Sequence, residues 1–327
     1  MMLEIAYHAI KMDSYQEAED IISKHFGVKV NDDTVRLVTN HIGQLVFRED
    51  CRLADEAFSL FERNLLHYRP EKEGILYLEM DGAALNTRTK DENNSTWREN
   101  KLAVAFTDKD FYSWKGRDNK GRHQLMRREY ISLIGAASEF RKHLLALALR
   151  NGYGTVRETV ILSDGAAWIR NIKEELFPDA QQILDLFHLK ENIHGFSRVI
   201  FKQEEDESRL AWAKDICSRL EDGRWEDVLK ELEIYKDRSF PPGTVNPYTY
   251  IYNNRNNIDY PTYRAKGYAV GSGAIESSNK VVLQSRLKLA GMRWNVDTAQ
   301  YVLSLKAKEK SGLWYSSVVP LVKKVLG

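Results

Sequence analysis

Near residue 71 the chain switches from helical to strand-like patterning, and the segments beyond that point leave few folds open. Ile75-Leu-Tyr-Leu-Glu-Met80 is a short apolar run rich in β-prone residues. Lys101 to Thr107 and Phe111 to Lys115 read as second and third strands, with Asp108–Asp110 as the turn between them. Residues 126–150 read as one long amphipathic helix. Thr159 to Leu162 is a fourth strand, and Ala166 to Leu176 a helix stopped by Pro178. Gln182 to Leu186 is a fifth strand, and His188 to about Lys202 is again helical.

The order β-β-β-α-β-α-β-α predicts an α/β fold. Its five-stranded mixed sheet is antiparallel on one side and parallel on the other, with flanking helices. That order is the ribonuclease-H-like topology. Ahead of it, residues 1–70 read as helical. Ser14-x-x-Glu17 is a capping box, Gly27 breaks the helix it opens, and Asn31-Asp-Asp33 caps a second helix. Val35, Leu37, Val38 and Ile42 are expected to face inward. Two short helices around a Gly-containing turn match a helix-turn-helix, with Arg36 as its one obvious DNA contact. Residues 52–67 are expected to form a further helix ended by Pro70.

Later segments complete four expected regions: a helical segment over 1–70, the first part of the catalytic core over 71–202, a mainly helical insertion and irregular connector over 203–262, and C-terminal helices over 263–327. Residues 244–273 read as irregular and polar. A length of 327 residues is enough for two domains. With 48 Lys+Arg against 47 Asp+Glu, any surface for nucleic acid must be local. Charge is segregated accordingly. Arg170 to Asp237 holds 17 acidic and 11 basic residues, and Arg264 to the end holds 11 basic and 3 acidic.

Two cysteines, Cys51 and Cys217, exclude a disulfide scaffold and a cysteine-based zinc site. The chain contains no run of about 18 apolar residues, so no transmembrane helix is expected, and residues 1–10 do not have the pattern of a leader. A cytoplasmic, nucleoid-associated protein is the expectation.

Three acids stand out. Asp81 is read at the end of the first strand and Asp164 at the end of the fourth, each followed by Gly-Ala-Ala. Glu276 lies in Gly271-Ser-Gly-Ala-Ile-Glu276, where a helix begins. Ligands collect at the carboxyl ends of strands in open α/β sheets. Converging carboxylates repel unless cations lie between them, and hard oxygen donors suit Mg²⁺ or Mn²⁺. Two such ions about 4 Å apart serve phosphodiester displacement. Asp185, three residues before His188, could orient that imidazole toward a metal or a phosphate. Lys280, Arg286, Lys288, Arg293 and Trp294 form a basic segment with an interleaved aromatic, suited to phosphate contact and base stacking. Arg88 to Arg128, with 11 basic and 6 acidic residues, is a second basic stretch.

Five segments together resemble a prokaryotic insertion-sequence transposase: Asp81-Gly-Ala-Ala, Leu162-Ser-Asp164-Gly-Ala-Ala-Trp168-Ile, Phe177 through His188, Gly267 through Ser277, and Arg286-Leu-Lys-Leu-Ala-Gly-Met-Arg-Trp294. The closest group is the Kra-type insertion-sequence family, related to the Mutator-like DDE transposases. The resemblance runs from about residue 14 to 310 and includes Asn-Asn-Arg255 and Asp259-Tyr260. It implies a catalytic and metal-binding triad of Asp81, Asp164 and Glu276, and an all-α insertion between the second Asp and the Glu, 112 residues apart here. It also implies two Mg²⁺ or Mn²⁺ ions and the Asp form of an Asp-x-x-His motif at Asp185 and His188. Its reaction is metal-dependent cleavage of DNA at element ends, then attack of the freed 3′ hydroxyl on target DNA. The expected partners are the terminal repeats, target DNA and further copies of the chain. Family members usually carry a longer N-terminal region with Cys pairs, so an N-terminally truncated chain is expected. A metal-dependent nuclease of the same fold and an inactive or domesticated DNA-binding relic are the alternatives.

Overall fold

The computed structural model describes the whole chain except residues 70–72, 116–120, 203–204 and 272, and the side chains of residues 121–123. Pro70 and part of the Arg117–Arg128 stretch therefore lie outside the described residues. The elements run, in order, α1 (Met2–Lys11), α2 (Tyr15–Phe26), α3 (Asp32–Glu62), β1 (Ile75–Asn86), β2 (Trp97–Thr107), β3 (Phe111–Lys115), β4 (Gly121–Leu125), β5 (Glu129–Ile134), α4 (Ala137–Arg150), β6 (Glu158–Ser163), α5 (Ala167–Leu176), β7 (Gln181–Leu184) and α6 (Leu186–Ile200). Beyond these come α7 (Asp206–Glu221), α8 (Trp225–Leu232), α9 (Pro247–Asn254), α10 (Tyr260–Ala265), α11 (Gly273–Ser278), α12 (Ser285–Leu287), α13 (Val296–Lys310) and α14 (Val319–Leu326).

The fold is α/β, with a mixed five-stranded sheet in the order β5-β2-β1-β6-β7. β1–β2 and β2–β5 are antiparallel and β6–β7 is parallel. Two strand expectations need correction. Phe111–Lys115 pairs with β4 in a separate two-stranded sheet, and the third strand of the main sheet is β5. β5 occupies the start of the expected long helix, which opens only at Ala137. Tyr-Ile-Ser-Leu is too short a run to show its period, and pairing against β2 decides it. β1 also runs past Met80 to Asn86, because β2 continues opposite it, from Asp81↔Leu102 to Asn86↔Trp97. Ladder hydrogen bonds need no large side chain, so Gly-Ala-Ala does not end the strand.

By contacts the chain divides into two compact units, Met1–Thr159 with Ala274–Gly327, and Val160–Gly273. In the first unit, Ile75 to Met80 are all buried, as expected of a strand covered on both faces. Ser14 Oγ accepts from the Glu17 N–H and the Glu17 carboxylate accepts from the Asp13 N–H, so the capping box forms with its return bond one residue early. Gly27, at φ +65°, ends α2. Asn31 caps α3.

α3 is one 31-residue helix where two were expected. No Gly or Pro interrupts residues 47–52, and Arg52 bridges Glu49 and Glu56 one turn to either side. Val35 and Ile42 are buried, but Leu37 is exposed, on the opposite side of the helix. α3 packs against α1, α4 and α13. It crosses α13 at Gly43, where a Cβ would lie 2.6 Å from Tyr301 Cβ and 2.8 Å from its carbonyl oxygen. In the second unit, residues 244–273 are not irregular: α9 and α10 form there, each with Pro in its first turn and an Asn246 or Asp259 cap. Among the described residues no helix is long and apolar enough to cross a membrane.

Candidate functional site

In the first unit, Asp81 is half-buried in the middle of β1 rather than at a strand end. Its Oδ1 accepts from the Gly82 N–H at 2.7 Å and its Oδ2 from Asn279 Nδ2 at 2.5 Å. Side chains alternate along a strand, so Glu79 shares the Asp81 face. Glu79 is buried, and its Oε2 accepts from the Ile275 N–H at 2.8 Å. Two acids of β1 thus grip the α11 region at both ends, Glu79 at its first turn and Asp81 through Asn279 just beyond. Glu276 lies between those two attachment points and is exposed. Glu79 and Asn279 were not among the residues singled out from the sequence. The available signal was a Glu inside an otherwise apolar strand, which is tolerated only with a partner.

In the second unit, β6 and β7 run parallel with Ser163 opposite Leu184. Asp164 and Asp185 are the next residues of the two strands, so both sit at neighbouring carboxyl ends. Asp164 Oδ1 accepts from the Ala166 N–H at 2.9 Å, closing a turn through Gly165 at φ +89°. A Cβ on Gly165 would meet Asn254 Oδ1 at 2.9 Å and Leu184 Cδ1 at 3.1 Å. The small residue after Asp164 therefore makes room for the protein's own Asn254 and Leu184.

α9 and α10 hold the strand ends in place. The Tyr250 hydroxyl donates to the Asp164 carbonyl at 2.8 Å, and the Tyr260 hydroxyl to the Leu184 carbonyl at 3.0 Å. Burial pushes both phenols above their ordinary range. Asp185 is fully buried and caps α6, its Oδ1 accepting from the His188 N–H at 2.8 Å. The His188 ring stands 3.7 Å from the same oxygen. Asp185, helped by Asp164 and Glu191, raises the His188 pKa to about 9 against the opposing effect of burial. The imidazole is therefore a cation at neutral pH. Glu276 in the first unit and Asp185 in the second each offer a carboxylate oxygen, of the kind that ligates divalent ions.

The basic residues divide. Lys280, Lys288 and Arg293 are exposed, as is Arg36, which pairs with Asp33 at 2.9 Å. Arg286 and Trp294 need correction as surface contacts. Arg286 is 2% exposed and donates to the carbonyls of Ala9 and Asp13, between the rings of Tyr15 and Trp294. Trp294 is 8% exposed, and its Nε1 donates to the Leu287 carbonyl. Its ring packs the interior and does not stack a base. Cys51 is half-buried and Cys217 buried, and burial pushes both thiols up to about 11. Neither is a thiolate nucleophile at neutral pH. No protein-family model matches this chain, and no curated protein matches it in sequence.

Proposed function

We propose that this chain is a DDE transposase of an insertion sequence, with Asp81, Asp164 and Glu276 as its catalytic acids and Asp185 and His188 in support. The observation that carries the reading is the pair of carboxylates, Asp164 and Asp185, at adjoining carboxyl ends of parallel strands, the position where α/β sheets gather ligands. A mixed sheet compatible with the ribonuclease-H-like order and the resemblance over residues 14–310 support it further.

The donor set fits divalent metal. Asp81 and Asp164 are hard carboxylates oriented by backbone and amide donors, the oxygen type that divalent ions take. Asp81, Asp164 and Glu276 would hold Mg²⁺ or Mn²⁺, two ions in the full reading. When bound, such ions supply Lewis-acid activation of an attacking oxygen and stabilise a leaving 3′ oxygen. The protein's part is positional. Glu79 and Asn279 fix the segment bearing Glu276 and the rotamer of Asp81. Tyr250, Asn254 and Gly165 fix the turn bearing Asp164. Protonated His188 supplies positive charge beside Asp164, suited to a phosphate. The reaction is hydrolysis at an element end, followed by attack of the 3′ hydroxyl on target DNA, with a homo-oligomer assembled on DNA to handle two ends.

The test is a labelled duplex carrying the DNA that flanks the gene on either side, where terminal repeats are expected, incubated with Mg²⁺, Mn²⁺ or EDTA, using wild type and Asp164→Asn. Metal-dependent joining lost in Asp164→Asn is the expected result. Nicking without joining would replace the transposase by a nuclease, and binding without cutting in either protein would leave a DNA-binding relic.

A further inference from the structure

Four arginines from three separate stretches of the sequence meet in one cleft of the first unit. Arg36 on α3, Arg88 after β1, Arg286 on α12 and Arg293 before α13 line a cavity of about 690 Å³. Asp33 is the one carboxylate among the lining residues, and it is paired to Arg36. Arg88 and Arg293 are exposed and in no ion pair among the described residues. The two are tied together: the Arg88 N–H donates to the Trp294 carbonyl at 2.8 Å, and Arg88 Nε to the Arg293 carbonyl at 3.2 Å. Beneath them Arg286 is buried on carbonyls and rings, with no carboxylate at ion-pair distance among the described residues. Its Nη2 has no hydrogen-bond partner there. A buried guanidinium with no carboxylate in ion-pair contact, only the more distant charges of Asp13 and Glu17, favours a further anion nearby.

We propose that this cleft binds the phosphate backbone of duplex DNA. The proposal rests on the DNA-processing reading above. Guanidinium groups match phosphate oxygens in geometry and charge. The rings that line the cleft, Tyr15 and Trp294, are engaged on Arg286 and offer no platform to an unstacked base, which favours duplex over single strand. With guanidinium donors, the cleft recognises backbone and not sequence. Arg36 and Arg293, separate DNA contacts in the sequence, thus belong to one surface, and Arg88 joins them.

Fluorescence anisotropy of the full chain on a terminal-repeat duplex and on a scrambled duplex of equal length, across a salt series, tests this. Arg88→Ala with Arg293→Ala is expected to weaken both duplexes alike, by tenfold or more. The slope of log affinity against log salt should fall by about one per arginine removed. Arg293→Glu, at a side chain with no hydrogen bond among the described residues, gives the same direction and decides the matter if the double variant does not fold. Wild-type affinity and slope in Arg293→Glu would overturn the proposal. So would unchanged duplex binding combined with loss of stabilisation by inorganic phosphate, which would make the cleft a free-phosphate site. Arginine-dependent binding without cutting would leave the cleft standing and remove the transposase reading. Cutting and joining with wild-type DNA affinity in the arginine variants would do the reverse.

Discussion

His188 and Lys306 illustrate opposite outcomes of moving a charge away from water. His188 gains a carboxylate partner in Asp185, and its pKa rises to about 9. The stability it contributes is therefore fully present below its ordinary pKa of 6.5 and lost as pH rises through about 9. An NMR titration of the metal-free protein should place its midpoint near 9, and Asp185→Asn should return it to 6.5 or below. Lys306 is 4% exposed on α13, with the Ile10 carbonyl as acceptor, and burial lowers its pKa to about 8. The unfolded chain binds the proton more tightly, so this lysine destabilises the fold below about 8, and stability recovers toward its ordinary pKa of 10.5. Lys306→Met should raise the urea midpoint at pH 7, and its advantage over wild type should shrink at pH 10.

At the scale of elements, the crossing of α3 and α13 depends on one missing methyl. Alanine has the better helix propensity, yet Gly43→Ala should destabilise the protein by about 1–3 kcal/mol, since the obstructing atoms include the backbone of Tyr301. Thermal melting checks this, and a rise in melting temperature would show that the helices separate freely. The α9 clamp is a second case. Tyr250→Phe leaves the Asp164 carbonyl without its donor and should lower stability by about 1 kcal/mol. If the clamp also sets the Asp164 turn, joining activity in the variant should fall further than its population of folded protein does.

For the whole molecule, a charge of +1 hides an acidic middle and a basic C-terminal segment. If the chain binds DNA as proposed, the attraction comes from its basic segments, and its dependence on salt should be steeper than the net charge suggests. Cation binding should register on the entire fold. If the acids hold Mg²⁺ only when folded, adding it at about 100 times its dissociation constant should stabilise the protein by about 2.7 kcal/mol. EDTA should reverse the rise in melting temperature, and Asp81→Asn and Asp164→Asn should each diminish it.

The features legible in the chain alone are those settled within a few residues. Ser14 and Asn31 mark helix starts through bonds to atoms one turn away, Gly27 marks a helix end through its own left-handed φ, and the apolar run at 75–80 specifies a buried strand through its own composition. The acids Asp81, Asp164 and Glu276 stood out as carboxylates beside small residues, but the strand end read at Asp81 is not where the strand stops. Other features required partners remote in sequence. β5 is a strand because β2 pairs with it, and β1 continues through Gly-Ala-Ala because β2 continues beside it. The unbroken course of α3 is the exception, because the i,i+3 and i,i+4 bridges of Arg52 that join its two halves are themselves local. Arg286 has the sequence context of a surface cation, and it is the carbonyls of Ala9 and Asp13, 277 and 273 positions away, that receive its buried guanidinium. Short-range hydrogen bonds and periodicity are encoded in the segment that makes them. Burial, and with it the role of every charged side chain, is set by what the folded chain packs on top.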